Sequence, residues 1–141
     1  MKEMTVESKI DVRLPDCDMM GIVHHAVYPV WYEIARNDFF AACGYGYEHM
    51  KELGVDPAMV NLNISYHSPA TYPGFVTVRT RAVMCEGKKI SLKYELFYLD
   101  GEKPASTASS FHIWVRGGAS VNLEEAEPDM FRAYKIAVEA E

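Results

Sequence analysis

The chain has 141 residues and a hydrophobic content of 49%, enough for one domain that folds without disulfide or metal staples. Its formal net charge of −6, with no run of basic residues, excludes a broad electrostatic footprint for nucleic acid. No apolar run approaches the roughly 20 residues of a membrane span, the start has no apolar signal core, and three cysteines without C-x-x-C spacing predict a reducing, cytoplasmic setting.

Alternation opens the chain. Met4, Val6, Ile10, Val12 and Leu14 share one face, with Thr5, Glu7, Lys9, Asp11 and Arg13 opposite, the period of a half-buried strand that Pro15 closes. A helix is predicted from about Ala26 to Cys43. Val27, Val30, Trp31, Ile34, Ala35, Phe39 and Ala42 recur at helical steps and cover more than a narrow stripe, which predicts deep burial. Pro29 is compatible only with the first turn, and Gly44 supplies the stop. A short second helix, Tyr47 to Leu53, ends at Gly54.

Strands follow. Ala58, Val60, Leu62, Ile64 and Tyr66 fall on one face of the first, and Val76, Val78, Ala82 and Met84 on one face of the second. Ile90, Leu92, Tyr94, Leu96 and Tyr98 align in the third, and Ala105, Thr107, Ser109, Phe111, Ile113 and Val115 in the fourth. "SPATYPG", "CEGKK" and "DGEKP" mark the turns between them. The tail from Glu124 to Glu141 reads as an amphipathic helix with Pro128 near its start and Phe131, Tyr134 and Val138 facing the body. With no repeat, low-complexity segment or linker, residues 1–141 are expected to form a single domain. Its class is α+β, an antiparallel sheet with one face covered by the long helix.

The stretch "DCDMMGIVHHAVYPVWYEIAR", Asp16 to Arg36, resembles the signature of hotdog-fold acyl-CoA thioesterases, the 4-hydroxybenzoyl-CoA and YbgC-like groups. The shared positions are Asp16, Asp18, Gly21, Val23, Tyr28, Glu33, Ala35 and Arg36. "NISYHSPATY" and "GKKISLKYEL" resemble two further blocks of the family, in the expected order. The chain departs from it at Met19-Met20, at Val27 and at Pro73-Gly74-Phe75. The resemblance implies a five-stranded sheet wrapped around a long central helix, a C-terminal helix, and pairing of two protomers into a homodimer or homotetramer. It also implies hydrolysis of an acyl-CoA to a carboxylic acid and free coenzyme A, with no cofactor, since coenzyme A is part of the substrate.

Thioester hydrolysis needs donors for the carbonyl oxygen and a group to activate or deliver the attack. A helix start presents unpaired N–H groups and partial positive charge, which makes the amide near His25 the candidate oxyanion donor. Gly21 leaves room for the acyl group. By resemblance Asp18 is the general base or the nucleophile; the alternative is a turn-forming aspartate. Asp16 is expected to shape the loop through bonds to backbone. His25 matches a family histidine and could assist proton transfer, whereas His24 is expected to be structural. A zinc site from Asp16, Asp18, His24 and His25 would need further ligands from His67, His112 or a cysteine, so no metal is expected.

Tyr28 is a candidate wall of the acyl slot, with core packing as its alternative. Glu33 either borders that slot or pairs with Arg36 three residues on. Lys88 and Lys89, in a turn before a strand, are candidates for the coenzyme A phosphates, and Ser91 is a further candidate. The rival class is a non-catalytic acyl-thioester binding module on the same fold.

Overall fold

The computed structural model describes residues 4–139. Its first strand, β1, spans Val6–Asp11. Ser8 is buried on the inner face, where its hydroxyl donates to Asp38 Oδ2 at 2.6 Å. The alternation does not extend to Leu14. Residues Leu14–Asp16 turn around Pro15 as a single 3-10 turn, and Leu14 is 65% exposed instead of facing the core.

The long helix α1 is Tyr28–Ala42, entered through a 3-10 turn at His25–Val27, with Pro29 in its first turn. Its buried residues are Tyr28, Trp31, Tyr32, Ala35, Arg36, Phe39 and Phe40. After Tyr28 they fall in three pairs one turn apart, as a period of 3.6 residues requires. That stripe has a direction the apolar pattern did not carry. Val30 and Ile34, expected in the core, lie beside it and are exposed. The second helix, α2 (Tyr47–Leu53), ends at Gly54, whose φ of +71° suits a residue without Cβ.

The remaining elements are β2 (Val55–Tyr66), β3 (Phe75–Glu86), β4 (Lys89–Tyr98), β5 (Ser106–Arg116), a two-residue β6 (Ala119–Ser120), a short α3 (Leu123–Ala126) and α4 (Pro128–Glu139). The last two residues of the expected terminal helix lie outside the described residues. The five long strands form one antiparallel sheet in the order β1-β3-β4-β5-β2, and β6 pairs with β5. This sheet curls around α1, and α4 packs against β3. Phe40, Trp114 and Tyr134 join α1, β5 and α4 through ring contacts of 5.1 to 6.1 Å.

Three strand faces differ from the alternation. In β2 the register shifts between Met59 and Asn61, which leaves Val60 unpaired and exposed. In β3 a shift between Ala82 and Met84 moves Met84 off the inner face and buries Cys85 in its place. An extra residue in a ladder reverses the side on which every later side chain falls. In β5 the inner face is Ser106, Ser110, His112 and Trp114, while Thr107, Ser109, Phe111, Ile113 and Val115 lie outward, half-buried. Polar residues occupy the inner face there because each finds a partner under α1.

Those partners form two hydrogen-bond chains. Tyr32 Oη donates to Ser106 Oγ at 2.6 Å, and Ser106 donates to the Ser65 carbonyl at 2.9 Å. The second chain starts at the Pro57 carbonyl, 3.2 Å from His112 Nδ1. A carbonyl only accepts, so Nδ1 carries the proton. Burial, then the nearby Arg36 charge, push His112 down to about 4, so the ring is neutral at pH 7 and Nε2 accepts. Ser110 Oγ therefore donates to Nε2 at 2.7 Å, Tyr94 Oη donates to Ser110 at 2.6 Å, and Arg36 Nη1 donates to Tyr94 at 3.2 Å. The chain ties the edge strand β2 to α1 and seats a guanidinium that is 8% exposed. Among the described residues no helix is long and apolar enough to cross a membrane.

Candidate active site

The loop ahead of α1 is a small hairpin whose arms meet at Cys17 and Val23. Asp16 anchors its base. Its carboxylate accepts from the Arg13 amide at 3.0 Å and from Arg13 Nη2 at 2.9 Å, and its carbonyl accepts from the His24 amide at 2.9 Å. The residue is 4% exposed, as suits a carboxylate whose bonds are satisfied locally. Although burial opposes ionisation, the bonds and charge of Arg13 together hold Asp16 below the usual carboxylate range.

At the tip, the Gly21 amide donates to the Asp18 carbonyl at 3.0 Å, and the Asp18 amide to the Ile22 carbonyl at 2.9 Å. Gly21 has φ +78°, and a Cβ there would meet nothing within 4 Å. Glycine is thus demanded by the backbone turn and not by crowding within this chain. Asp18 is exposed. Its Oδ1 accepts from the Met20 amide at 2.8 Å and the Ile22 amide at 3.3 Å, so one oxygen shapes the loop. Met19 and Met20 stand out from the surface beside it.

A second segment grips this hairpin from below. Val23 donates to the Ala70 carbonyl at 2.9 Å, and Ile22 bridges to Thr71. Tyr98 Oη in turn reaches the Thr71 carbonyl at 3.0 Å. Gly74 lets that ring approach, because a Cβ at position 74 would sit 2.8 Å from Tyr98 Cε1. The "SPATYPG" stretch is therefore the platform of the loop as well as a strand connection.

At the start of α1, nearly every backbone polar group of His24 and His25 has a partner. The His24 amide is bound to Asp16, the His24 carbonyl accepts from the Val27 amide at 3.0 Å, and the His25 carbonyl accepts from Tyr66 Oη at 3.0 Å. His24, expected to be structural, caps the turn: its Nδ1 accepts from the Ala26 amide at 3.1 Å. Among the described residues, the His25 amide alone in this group has no hydrogen-bond partner. His25 is exposed, and an N–H left unpaired at a helix start is open to an incoming acceptor.

Beside it is a hollow of about 360 Å³. His25, Tyr28, Tyr66 and His67 line it together with the apolar Ile22, Val23 and Pro69. Tyr28 is buried, meets Tyr66 edge-on at 4.9 Å, and has its hydroxyl against the Ala70 amide. Burial pushes that phenol above its ordinary range. The arrangement offers one free amide, an imidazole stacked on a second imidazole at 4.3 Å, and an aromatic wall. A larger hollow of about 770 Å³ lies on the outer face of the sheet. Its charges include the Arg79–Glu7 pair at 2.9 Å, and no helix start opens onto it.

Of the site residues expected from sequence, the hollow brings together His25 and Tyr28. Asp18 is not on its wall; it stands opposite Ile22, three residues or roughly 10 Å of chain from His25. Glu33 is 66% exposed and lies 3.8 Å from Arg36, a loose pair on the open side of the helix. Lys88, Lys89 and Ser91 belong to the far end of the sheet. Lys89 pairs with Ile113 whereas Tyr66 pairs with Ser106, which separates the two levels by seven residues, about 23 Å. Lys89 lies 4.0 Å from Glu86, and Ser91 sits on the outer face. Sequence reasoning missed Tyr66 as a site residue and weighed His67 only as a metal ligand. Both stand in the quoted "NISYHSPATY" block, the one signal that pointed there. Among the described residues no three His, Cys, Asp or Glu side chains gather as a metal site. Burial pushes the Cys43 thiol up to about 11, which removes it as a thiolate nucleophile near neutral pH.

A profile of the thioesterase-like superfamily matches residues 12–133. The chain is 34% identical to the candidate acyl-CoA thioesterase YneP of Bacillus subtilis over 133 residues, 93% of this chain and 96% of that one. Among solved structures, it is similar to a DHNA-CoA thioesterase from Staphylococcus aureus, with a TM-score of 0.89 at 28% identity, covering 97% of this chain and 95% of that one. It is also similar to the hypothetical protein TT1821 from Thermus thermophilus, with a TM-score of 0.86 at 29% identity, covering 93% of this chain and 98% of that one. A match across most of the chain, joined to the same curled sheet around one helix, makes this protein a member of the thioesterase-like superfamily with the hotdog fold.

Proposed function

We propose that this thioester hydrolase acts on acyl-CoA, releasing a carboxylic acid and free coenzyme A, with the scissile carbonyl held at the start of α1. The observation that carries the reading is the single unpartnered amide of His25 beside an aromatic-walled hollow. The carbonyl oxygen takes that amide as donor, where one well-aimed donor is worth roughly 3 kcal/mol of barrier. The acyl group lies against Tyr28 and Tyr66, and the open turn at Gly21 gives it entry. Water adds to the carbonyl carbon as Asp18 takes its proton, and collapse of the oxyanion breaks the C–S bond. The departing thiolate takes up the proton that Asp18 received, with the His25 imidazole on the hollow wall as the group that can relay it. Direct attack by Asp18, through a mixed anhydride, is the second route for the same carboxylate. No cofactor enters the scheme.

The site is completed by a second copy of the chain. β2 is a twelve-residue edge strand with Met59, Val60 and Tyr66 exposed, an edge that natural sheets cover. Antiparallel pairing of two β2 strands about a two-fold axis sets the Val55 end of one copy beside the Tyr66 end of the other. The same operation carries the second copy's Lys88–Lys89 hairpin toward this hollow, where it meets the coenzyme A phosphates with Ser91 alongside. Glu33, on the open side of α1, then borders the shared cleft. Light scattering should report a dimer or a tetramer at micromolar protein; a monomer there refutes the arrangement.

The rival reading, a binding module without turnover, draws on the loop-shaping bonds of Asp18 Oδ1. Release of free thiol from aryl, short-chain and medium-chain acyl-CoA separates the two. Wild-type protein releases thiol and Asp18→Asn loses most turnover while remaining folded. Near-wild-type rates in Asp18→Asn remove Asp18 from the chemistry, and binding without thiol release favours the module.

A further inference from the structure

The His25 amide owes its orientation to the bonds on the groups around it. On its N-terminal side the peptide is held by Val27, whose amide reaches the His24 carbonyl at 3.0 Å. The peptide on its C-terminal side is held twice: locally by the Ala26 amide, which donates to His24 Nδ1 at 3.1 Å, and from across 41 positions of sequence by Tyr66 Oη, which donates to the His25 carbonyl at 3.0 Å. The second bond is made by the edge strand β2, so the helix start is pinned directly to the sheet.

Tyr66 is itself well placed to hold. Its main chain pairs with Ser106 of β5, and the next residue donates its amide to the Ala105 carbonyl at 2.8 Å. Its ring stands edge-on to Tyr28 at 4.9 Å with an interplanar angle of 80°. His67 is turned away to Thr107 Oγ1 at 2.9 Å, which leaves the phenol as the β2 group that reaches the loop. The residue is nevertheless 47% exposed, so its hydroxyl is not needed to fill the core.

We propose that Tyr66 is a positioning residue of the reaction: by donating to the His25 carbonyl it fixes the peptide that follows His25, and with it the orientation of the residue whose amide receives the thioester oxygen. The proposal rests on the thioesterase reading above and adds to it a residue that acts through the backbone of another. It also places the aim of that amide under the control of the strand that faces a second copy.

The test is Tyr66→Phe, which keeps the ring and its contact with Tyr28 and removes only the donor. The expected result is a fall in kcat of about tenfold with KM changed by less than about twofold, a part of the roughly hundredfold loss that an ångström of misplacement brings. Thermal unfolding should change little. Unchanged kcat overturns the proposal, and so does a raised KM at constant kcat, which makes the hydroxyl a substrate contact instead. A readout free of turnover separates this proposal from the reading beneath it. In the backbone amide NMR spectrum, the His25 resonance should move in Tyr66→Phe while amides of α4 stay in place. If the wild-type chain hydrolyses no acyl-CoA, the thioesterase reading fails, and a stationary His25 amide overturns the positioning role as well.

Discussion

Acidification should destabilise this protein through His112 in particular. The imidazole is fully buried, donates through Nδ1 to the Pro57 carbonyl, and accepts from Ser110 at Nε2. Burial and the Arg36 charge hold it neutral, from an ordinary 6.5 down to about 4. Between those values the unfolded chain binds the proton and the folded one does not, so stability falls as pH falls. The full linkage is ~3 kcal/mol, of which ~2 kcal/mol is lost between pH 7 and pH 5. Urea unfolding at the two pH values measures it, with His112→Gln as the reference, since that amide cannot titrate and carries both a donor and an acceptor. With an m-value of about 2 kcal/mol/M, the wild-type midpoint should fall about 1 M further than that of the variant. Carboxylate titrations common to both proteins cancel in the comparison. A difference below ~0.5 kcal/mol, or an NMR titration that finds His112 protonating at its ordinary pH, refutes the neutral-ring assignment and the hydrogen-bond directions built on it.

Tyr94→Phe should cost ~2 kcal/mol, because it leaves the Arg36 guanidinium without its 3.2 Å acceptor in a buried place. Combined with Ser110→Ala the loss should be about 1 kcal/mol less than additive, since both changes break the same 2.6 Å bond; strict additivity in urea unfolding would deny the chain. Gly21→Ala should destabilise by ~1 kcal/mol and slow thioester turnover, through the strain of a side chain at φ +78°. Equal calorimetric stability of the two proteins would contradict that. Lys88→Ala with Lys89→Ala should raise KM for acyl-CoA severalfold and weaken its salt dependence. The same change should leave a truncated N-acetylcysteamine thioester untouched, and an equal effect on both substrates rules out a phosphate contact.

The amino-acid order by itself determined the features that depend on a few neighbouring residues. Pro29 and Gly44 bracket α1, the alternation of Ile90 to Leu96 marks the buried face of β4, and the motif from Asp16 to Arg36 pointed to the family and to the loop that carries His25. Asp16 takes the backbone-bonding role read from its residue type, and His24, read only as structural, caps the Ala26 amide, because such bonds close within a few positions. Tertiary structure decided what depends on distant segments meeting. Bulges at Val60 and Val83 reverse the faces of two strands, and the inner face of β5 is polar because Tyr32, Tyr94 and Pro57 meet it there. Tyr66 reaches His25 only once β2 lies beside the helix start, so no local pattern announces it. Side-chain periodicity is a property of one segment's backbone, whereas the pairing of a buried donor with its acceptor is settled only when two segments arrive at the same place.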